Sequence, residues 1–427
     1  MLQSFIHELK WRGALQDIMP GTEDLLAKEK TVGYIGFDPT ADSLHIGSLL
    51  QIITLMRFQK AGHKPIALVG GATGMIGDPS GKTAERNLLD EEALNKNVLG
   101  IKTQLAKFLN FDTKNENAAI LLNNYDWMKN YSFLNFIRDI GKHLTVNYMM
   151  AKDSVKNRLE NGMSFTEFSY QLLQAYDFHY LFSSYNCKLQ MGGSDQWGNI
   201  TSGTELIRRK GGNEAFALTT QLLKKADGSK FGKSEGGNIW LDKTKTSPYK
   251  FYQYWINTTD EDVEKFIKLF TFLTEEEIAT LTTEHNKDKG KRILQKELAK
   301  QVTCLVHSIA DYNSAIETSE ILFKGNMNDL AKLNEETFLD LFDGVPQFNL
   351  NYELINEGIN IAELLADKTN IISSRGETRK LIAGGGISLN KEKLNDAELK
   401  ITTEQLINNK YILISKGKKN NYLLVVK

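Results

Sequence analysis

The 427-residue chain has only two cysteines, Cys187 and Cys304, too few for a disulfide framework or a zinc site, and its seven histidines include no HExxH pair. No structural metal is expected. No stretch approaches the ~20 apolar residues that a membrane span needs. Met1 to Asp17 lacks both the apolar core of a secretory signal and the Arg- and Ser-rich, acid-poor character of a transit peptide, so a cytoplasmic protein is expected. There is no GxGxxG fingerprint, and the one candidate Walker A loop fails because Ile76 stands where GxxxxGK(S/T) requires glycine. Internal repeats and low-complexity tracts are missing as well. A net charge of −1 hides an asymmetry: residues 371 to 427 hold 11 Lys or Arg against 5 Asp or Glu, a +6 tail that leaves −7 on the rest. Such a tail is either an electrostatic handle for nucleic acid or a solvated surface.

What is present is an alternation of strand and helix. Val32-Gly33-Tyr34-Ile35-Gly36-Phe37 reads as a strand, Asp38-Pro39-Thr40 as a turn, and Ile46, Leu49, Leu50, Ile53 and Met56 as the apolar face of a helix ending at Gly62. The runs Ile66 to Val69, Ala119 to Leu122 and Lys188 to Met191 continue the pattern, which predicts an open parallel sheet with helices on both faces and ligands outside the strands' carboxyl ends. The length calls for two or three domains. Residues 1–220 read as the α/β domain and the Lys-, Gly- and Ser-rich 221–246 as a mobile loop. A helical domain is expected at 247–332, a linker at 333–350 and a small basic domain at 351–427.

Two strings stand out. His45-Ile46-Gly47-Ser48 opens the first helix, where unpaired amides and the helix dipole favour an anion, and Thr40 lies just before it. Lys230-Phe231-Gly232-Lys233-Ser234 follows about 185 residues later. Singly, the first reads as a helix cap and the second as a solvated loop; together they make a divided grip on a triphosphate, which points to ATP. The glycine-rich run Gly70 to Lys82 permits close backbone approach, with Asp78 able to take an ammonium and Lys82 and Arg86 able to reach phosphate, or it is an ordinary loop. On the helix Ser164 to Phe178, Tyr170, Gln174 and Asp177 share one face at i, i+4 and i+7, interleaved with Phe168, Leu172 and Leu173. That stripe faces a ligand or the solvent. Gly192-Gly193-Ser194-Asp195-Gln196-Trp197-Gly198-Asn199 closes a strand and opens a helix, where Asp195 either meets a ribose or caps the helix.

These strings resemble the HIGH-like and KMSKS-like signatures of class I aminoacyl-tRNA synthetases, and GGSDQWGN with KFGKS is similar to the bacterial tyrosyl branch. The resemblance implies a Rossmann-like catalytic domain, a helical domain on the anticodon side of the tRNA, and an α+β RNA-binding domain like that of a ribosomal small-subunit protein. It implies activation of tyrosine by ATP, with Mg2+ on the phosphates, and transfer to the 3′ end of the tRNA for tyrosine by a homodimer. It assigns the phenol to Tyr34 and Asp177, the ammonium to Asp78, Tyr170 and Gln174, and the carboxylate's vicinity to Gln196. The nucleotide falls to Asp38, Gly47, Ser48, Gly193, Asp195 and Lys233, and charge stabilisation to Thr40, His45, Lys82, Arg86, Lys230, Lys233 and Ser234. RNA contacts fall to Arg375, Arg379 and Lys380, on a helix followed by a glycine turn. One departure is plain: Ser48 occupies the string's fourth position, where the family usually has His, and can donate a single hydrogen bond.

Overall fold

In the computed structural model, residues 4–78, 80, 90–152, 155–156, 162–228, 231–234, 237–324, 327–342, 345–417 and 420–427 are described. Contacts group the chain into two compact units, Met1–Thr246 with Tyr254–Val302, and Ser247–Gln253 with Thr303–Lys427. The segment 247–332, expected as one helical domain, is divided between them. Among the described residues no helix is long and apolar enough to cross a membrane.

The first unit is built on a six-stranded sheet of Leu15–Ile18 (β1), Val32–Phe37 (β2), Lys64–Val69 (β3), Ile120–Asn123 (β4), Cys187–Gly193 (β5) and Phe216–Thr220 (β6). The order is β1-β6-β5-β2-β3-β4, with every neighbouring pair parallel except β1 on β6. The parallel α/β sheet expected from the apolar runs is present. The chain leaves β2 for β3 and β4 on one side and returns to β5 on the other, so the strand order reverses between β2 and β5, where such sheets open a crevice. β1 and β6 escape the sequence pattern because one is a short Leu-Gln-Asp-Ile edge and the other ends in Thr219 and Thr220, buried threonines that read as polar.

Between β2 and β3 runs the helix Ile46–Lys60, capped by His45, whose Nδ1 accepts from Gly47 N at 3.0 Å. It is covered almost all round, since Ile52, Leu55 and Phe58 are buried together with Ile46, Leu49, Leu50 and Ile53. A second helix, Glu91–Phe108, starts at the Asp90 cap and fixes the turn before His45. Three positions on one of its faces do this. Asn97 Nδ2 donates to Pro39 O at 3.0 Å, Gly100 lies against the Asp42 backbone, and Gln104 accepts from Leu44 N and donates to Ser43 Oγ, both at 2.8 Å.

The expected loop 221–246 carries strand pairing among its described residues. Lys233–Ser234 pairs with Gly237–Asn238, Trp240 bridges to His45, and Ile46 N donates to Ile239 O at 2.9 Å. Phe231 inserts among aromatic rings, 5.0 Å from Phe266 and 5.2 Å from Phe270 on the helix Asp260–Phe270.

In the second unit, Gln347–Leu350 lies parallel to Asn420–Val426 at one edge of a five-stranded sheet that continues through Tyr411–Lys416, Ile387–Leu389 and Glu392–Lys393. The stretch expected as a linker therefore holds a strand, and also the helix Glu335–Leu341. Ile355, Ile361, Leu364, Ile372 and Ile382 from the helical side meet Ile387, Ile412, Ile414 and Leu424 from the strands in one core.

Gly100 yields a test with an unusual sign. Alanine ordinarily stabilises a helix interior over glycine by about 0.5–1 kcal/mol, but a Cβ here would stand 2.0 Å from Asp42 O. Gly100→Ala is expected to destabilise the chain by about 1–3 kcal/mol, read from the urea midpoint; a more stable variant would show that this close approach does not exist.

Candidate functional site

The tips of β2, β3 and β5 open into a cavity of about 760 Å³. Its wall includes most of the residues singled out from the sequence: Tyr34, Asp38, Thr40, His45, Gly47, Ser48, Asp78, Tyr170, Gln174, Asp177, Gly193, Asp195 and Gln196. Lys82, Arg86 and Lys230 lie outside the described residues, as do the side chains of Lys233 and Ser234. Arg375, Arg379 and Lys380 belong to the second unit, on the helix Arg375–Ala383. There Arg375 pairs with Asp367 and Glu363, and Arg379 with Glu398 at 3.0 Å, while Lys380 is exposed. A phosphate backbone has to compete with those carboxylates for both arginines.

The helix Phe165–Tyr185, capped by Ser164, runs seven residues beyond its expected end and delivers Tyr170, Gln174 and Asp177 to the cavity. Asp177 is 2 % exposed and is gripped from both sides, Oδ2 by Asn124 Nδ2 and Oδ1 by Trp127 Nε1, each at 2.9 Å. Burial pushes its carboxyl up to about 7; the bonds from Asn124 and Trp127 pull the other way, and the nearby charge of Asp38 adds to the rise. Tyr34, on β2, is fully enclosed, with its ring 5.5 Å from that of Phe178. Its hydroxyl has no hydrogen-bond partner among the described residues. Burial, then the charge of Asp177, lift its pKa well above that of free tyrosine.

Asn124 is the hub. Its Nδ2 also reaches Thr73 Oγ1 at 3.1 Å and its Oδ1 accepts from Ala72 N at 2.6 Å, so both faces of the amide are engaged and its orientation is fixed. Thr73 passes the network on, donating to Asp38 Oδ1 at 2.7 Å, and Tyr170 donates to Asp38 Oδ2 at 2.8 Å. Asp38, expected beside the nucleotide, is thus tied to Tyr170 and Thr73. Opposite, Asp78 accepts from Gln196 Nε2 at 2.6 Å and from Ser80 N at 3.0 Å.

At the other end of the cavity, His45 uses Nδ1 as an acceptor, which in the neutral ring leaves the proton on Nε2. Gly47 must be small here, because a Cβ would stand 2.5 Å from the His45 ring. One turn on from Ser48, Gln51 donates from Nε2 to Thr220 Oγ1 at 2.8 Å, while its Oε1 is without a partner among the described residues; so are Gln174 Oε1 and Gln190 Oε1. All three side chains line the cavity. A deep wall with several unanswered hydrogen-bonding atoms is built for a polar ligand.

Sequence reasoning missed Asn124, Trp127, Thr73, Gln190 and Gln51. Three left a signal: Asn124 and Trp127 directly follow the apolar run that became β4, and Gln190 is a polar residue inside a buried strand. Thr73 sat unremarked inside the glycine-rich run Gly70 to Lys82, and Gln51 carried no signal.

Comparison with known proteins gives a consistent picture. The family model described as tRNA synthetases class I (W and Y) matches residues 26–324, and that of the tyrosine–tRNA ligase SYY-like C-terminal domain matches 337–425. The chain is 59 % identical over 429 residues to a tyrosine–tRNA ligase of Bacteroides fragilis, covering 99 % of this chain and 100 % of that one. It is 58 % identical over 432 residues to a tyrosine–tRNA ligase of Flavobacterium psychrophilum, covering both completely. Among solved structures, a C-terminally truncated mitochondrial tyrosyl-tRNA synthetase of Aspergillus nidulans aligns with a TM-score of 0.67 at 32 % identity, over 75 % of this chain and 94 % of that one. A tyrosyl-tRNA synthetase of Archaeoglobus fulgidus complexed with L-tyrosine, 16 % identical with a TM-score of 0.54 over 74 % of this chain and 100 % of that one, shares the fold.

The Asp177 carboxyl gives a pH test. Its folded value of about 7 lies above the roughly 3.9 of an unfolded aspartate, so its contribution to stability is whole below about pH 4 and is lost as pH rises through about 7. Asp177→Asn is expected to gain stability relative to the parent chain between pH 5 and pH 8 in urea denaturation. A difference that stays constant over that range would mean the carboxyl titrates normally.

Proposed function

Because the chain belongs to the class I tRNA synthetases, and within them to the tyrosine–tRNA ligases, we propose that the strand-tip cavity joins tyrosine to ATP and hands the tyrosyl group to tRNA. The observation that carries the reading is the pair Tyr34 and Asp177, two buried polar groups on one cavity that also holds Thr40, His45 and Ser48. The phenol of tyrosine fits between the unpartnered Tyr34 hydroxyl and the Asp177 carboxylate. Phenylalanine leaves both unanswered, at about 1–3 kcal/mol for each. The ammonium takes its three acceptors from Tyr170 Oη, Gln174 Oε1 and Asp78, for the Tyr170 hydroxyl spends its O–H on a hydrogen bond to Asp38 and keeps lone pairs to offer. Gln196, bonded to Asp78, stands next to the carboxylate.

ATP lies along the helix that starts at His45, with its ribose toward Gly193 and Asp195. Ser48 replaces an imidazole there, and the Gln51 carbonyl, held in place by Thr220, offers the nucleoside a further acceptor. In the first step an oxygen of the ionised tyrosine carboxylate bonds to the α-phosphorus while the bond to the β-phosphate oxygen breaks, giving tyrosyl-adenylate and pyrophosphate. No base is required. The protein positions the partners and neutralises charge, through Thr40, the Nε2–H of His45, and the cationic groups Lys82, Arg86, Lys230 and Lys233, assisted by Ser234. Magnesium supplies further neutralisation when it arrives with the phosphates. The donor set suits an ion carried by its substrate, since Asp38, Asp78 and Asp177 each already accept two or more hydrogen bonds. In the second step a terminal ribose hydroxyl of the tRNA attacks the tyrosyl carbonyl carbon and AMP leaves.

The second unit is the tRNA-binding side of this reading, through Lys380 and the ion-paired Arg375 and Arg379. A homodimer is part of it too, supported by the exposed side chains Phe133, Leu134, Ile137, Val146, Met150 and Phe165, a density of bare apolar surface that a solitary chain rarely keeps.

Tyrosine-dependent ATP–pyrophosphate exchange tests the whole; a chain that exchanges with another amino acid, or not at all, refutes it. Tyr34→Phe is expected to lower the preference for tyrosine over phenylalanine about tenfold while changing kcat for tyrosine less, and unaltered selectivity would count against the phenol subsite. A chain ending at residue 342, ahead of the strand Gln347–Leu350, should activate tyrosine normally and charge tRNA poorly; normal charging would release the C-terminal domain from the mechanism.

A further inference from the structure

A second, smaller cavity of about 140 Å³ opens on the first unit and shares no wall residue with the strand-tip site. Phe5, Glu8, Arg12, Arg57, Lys60 and Phe272 form most of it. Its charges do not balance. Arg12 and Arg57 are each 3 % exposed, and Glu8 is the carboxylate they share. Glu8 is already committed, accepting from Arg12 Nε at 2.7 Å and from Trp11 Nε1 at 2.9 Å.

The two guanidiniums differ in how well they are answered. Arg12 is satisfied: beyond Glu8, its Nη1 and Nη2 donate to Lys268 O and Leu273 O at 2.7 and 2.6 Å. Arg57 uses one nitrogen only, Nη2, for Lys268 O, Leu269 O and Thr271 O at 3.2, 3.0 and 2.9 Å. Its Nε and Nη1 are buried with no hydrogen-bond partner among the described residues, and the guanidinium carbon lies 5.5 Å from the centre of the Phe272 ring. The carbonyls at the end of the helix Asp260–Phe270 supply only the partial charge of a helix C-terminus. Lys60 adds a further positive charge at the rim, its Nζ 4.6 Å from the centre of the Phe272 ring. Burial and the neighbouring Arg12 both lower the Arg57 pKa, the direction expected of a buried cation short of counter-charge.

We propose that this cavity binds a compact oxyanion, of phosphate or carboxylate type, as the counter-ion of Arg57, with Lys60 closing over it from the rim. The volume sets the size class: it lies below the ~300 Å³ at which pockets begin to take drug-sized ligands, so a nucleotide is excluded, while inorganic phosphate or a short carboxylate fits. Phe5 and Phe272 make part of the wall apolar, and low-dielectric surroundings strengthen an anion's attraction to the cations. The site does not depend on the ligase reading.

Thermal unfolding of the full chain tests it, with inorganic phosphate titrated at constant ionic strength and acetate in parallel to separate the two anion types. The titration is run in a His45→Ala background so that the strand-tip phosphate grip is weakened. A saturable rise in Tm is expected from binding to the folded state. Arg57→Met risks unfolding the chain, so the exposed Lys60 carries the mutational arm: Lys60→Glu should raise the half-saturating concentration about tenfold. Crystals soaked in selenate should show an anomalous peak within hydrogen-bond reach of the Arg57 guanidinium. A flat titration with both anions, a response that Lys60→Glu leaves unchanged, or a selenate peak found only at the strand tips overturns the proposal.

Discussion

A carboxylate enclosed in an aromatic interior is the constraint on which the site depends. Asp177 is out of water among Tyr34, Trp127 and Phe178, and the fold keeps it there only because Asn124 and Trp127 each give it a hydrogen bond. Those two bonds are not enough to return it to ordinary acidity, and that shortfall has chemical value. A group held reluctantly ionised gains most from a ligand that brings one more donor. The same amide that steadies Asp177 orients Thr73, and through Thr73 it touches Asp38 and Tyr170. Asp177 at one end of the cavity and Asp38 with Tyr170 at the other are therefore set by one continuous network, and loosening either end disturbs the other.

The sheet explains why these residues meet. The reversal of strand order beside β2 leaves a gap at its carboxyl end, where β2 supplies Tyr34 and the turn that follows it supplies Asp38. The helix Glu91–Phe108 then clamps the turn between Asp38 and His45 through Asn97, Gly100 and Gln104, fixing where the following helix begins. The start of the His45-capped helix is only as well placed as this clamp. Helix cap, clamp and strand tip are separate devices, and each acts on the same few residues.

Much of this was legible in the sequence, and the reason differs by residue. The βαβ rhythm exposed the strands that carry a mostly apolar run, and the spacing of Tyr170, Gln174 and Asp177 exposed a helix face whose residues do share one cavity. Asn124 stayed hidden because its importance comes from β4 lying beside β3, a neighbourhood that periodicity along the chain does not encode. Arg12 and Arg57 stayed hidden for a similar reason: the carbonyls they hold lie more than 200 residues downstream. The edge strand β1 and the threonine-rich β6 lacked the apolar run that marks a buried strand, although tertiary pairing makes both part of the sheet. Local pattern revealed elements, and the resemblance of whole strings suggested which tips matter, but the connections between tips came from folding alone.

The nest of rings around Phe231 has a kinetic consequence. With that phenyl group docked, Gly232 and the strand Lys233–Ser234 begin one and two residues from a fixed point, so their backbone stays within a few ångströms of it. Any shift of that short strand against Gly237–Asn238 is then a search within a small sphere, at the high effective concentration of a short leash. The entropy at stake in such a shift belongs to a handful of backbone angles.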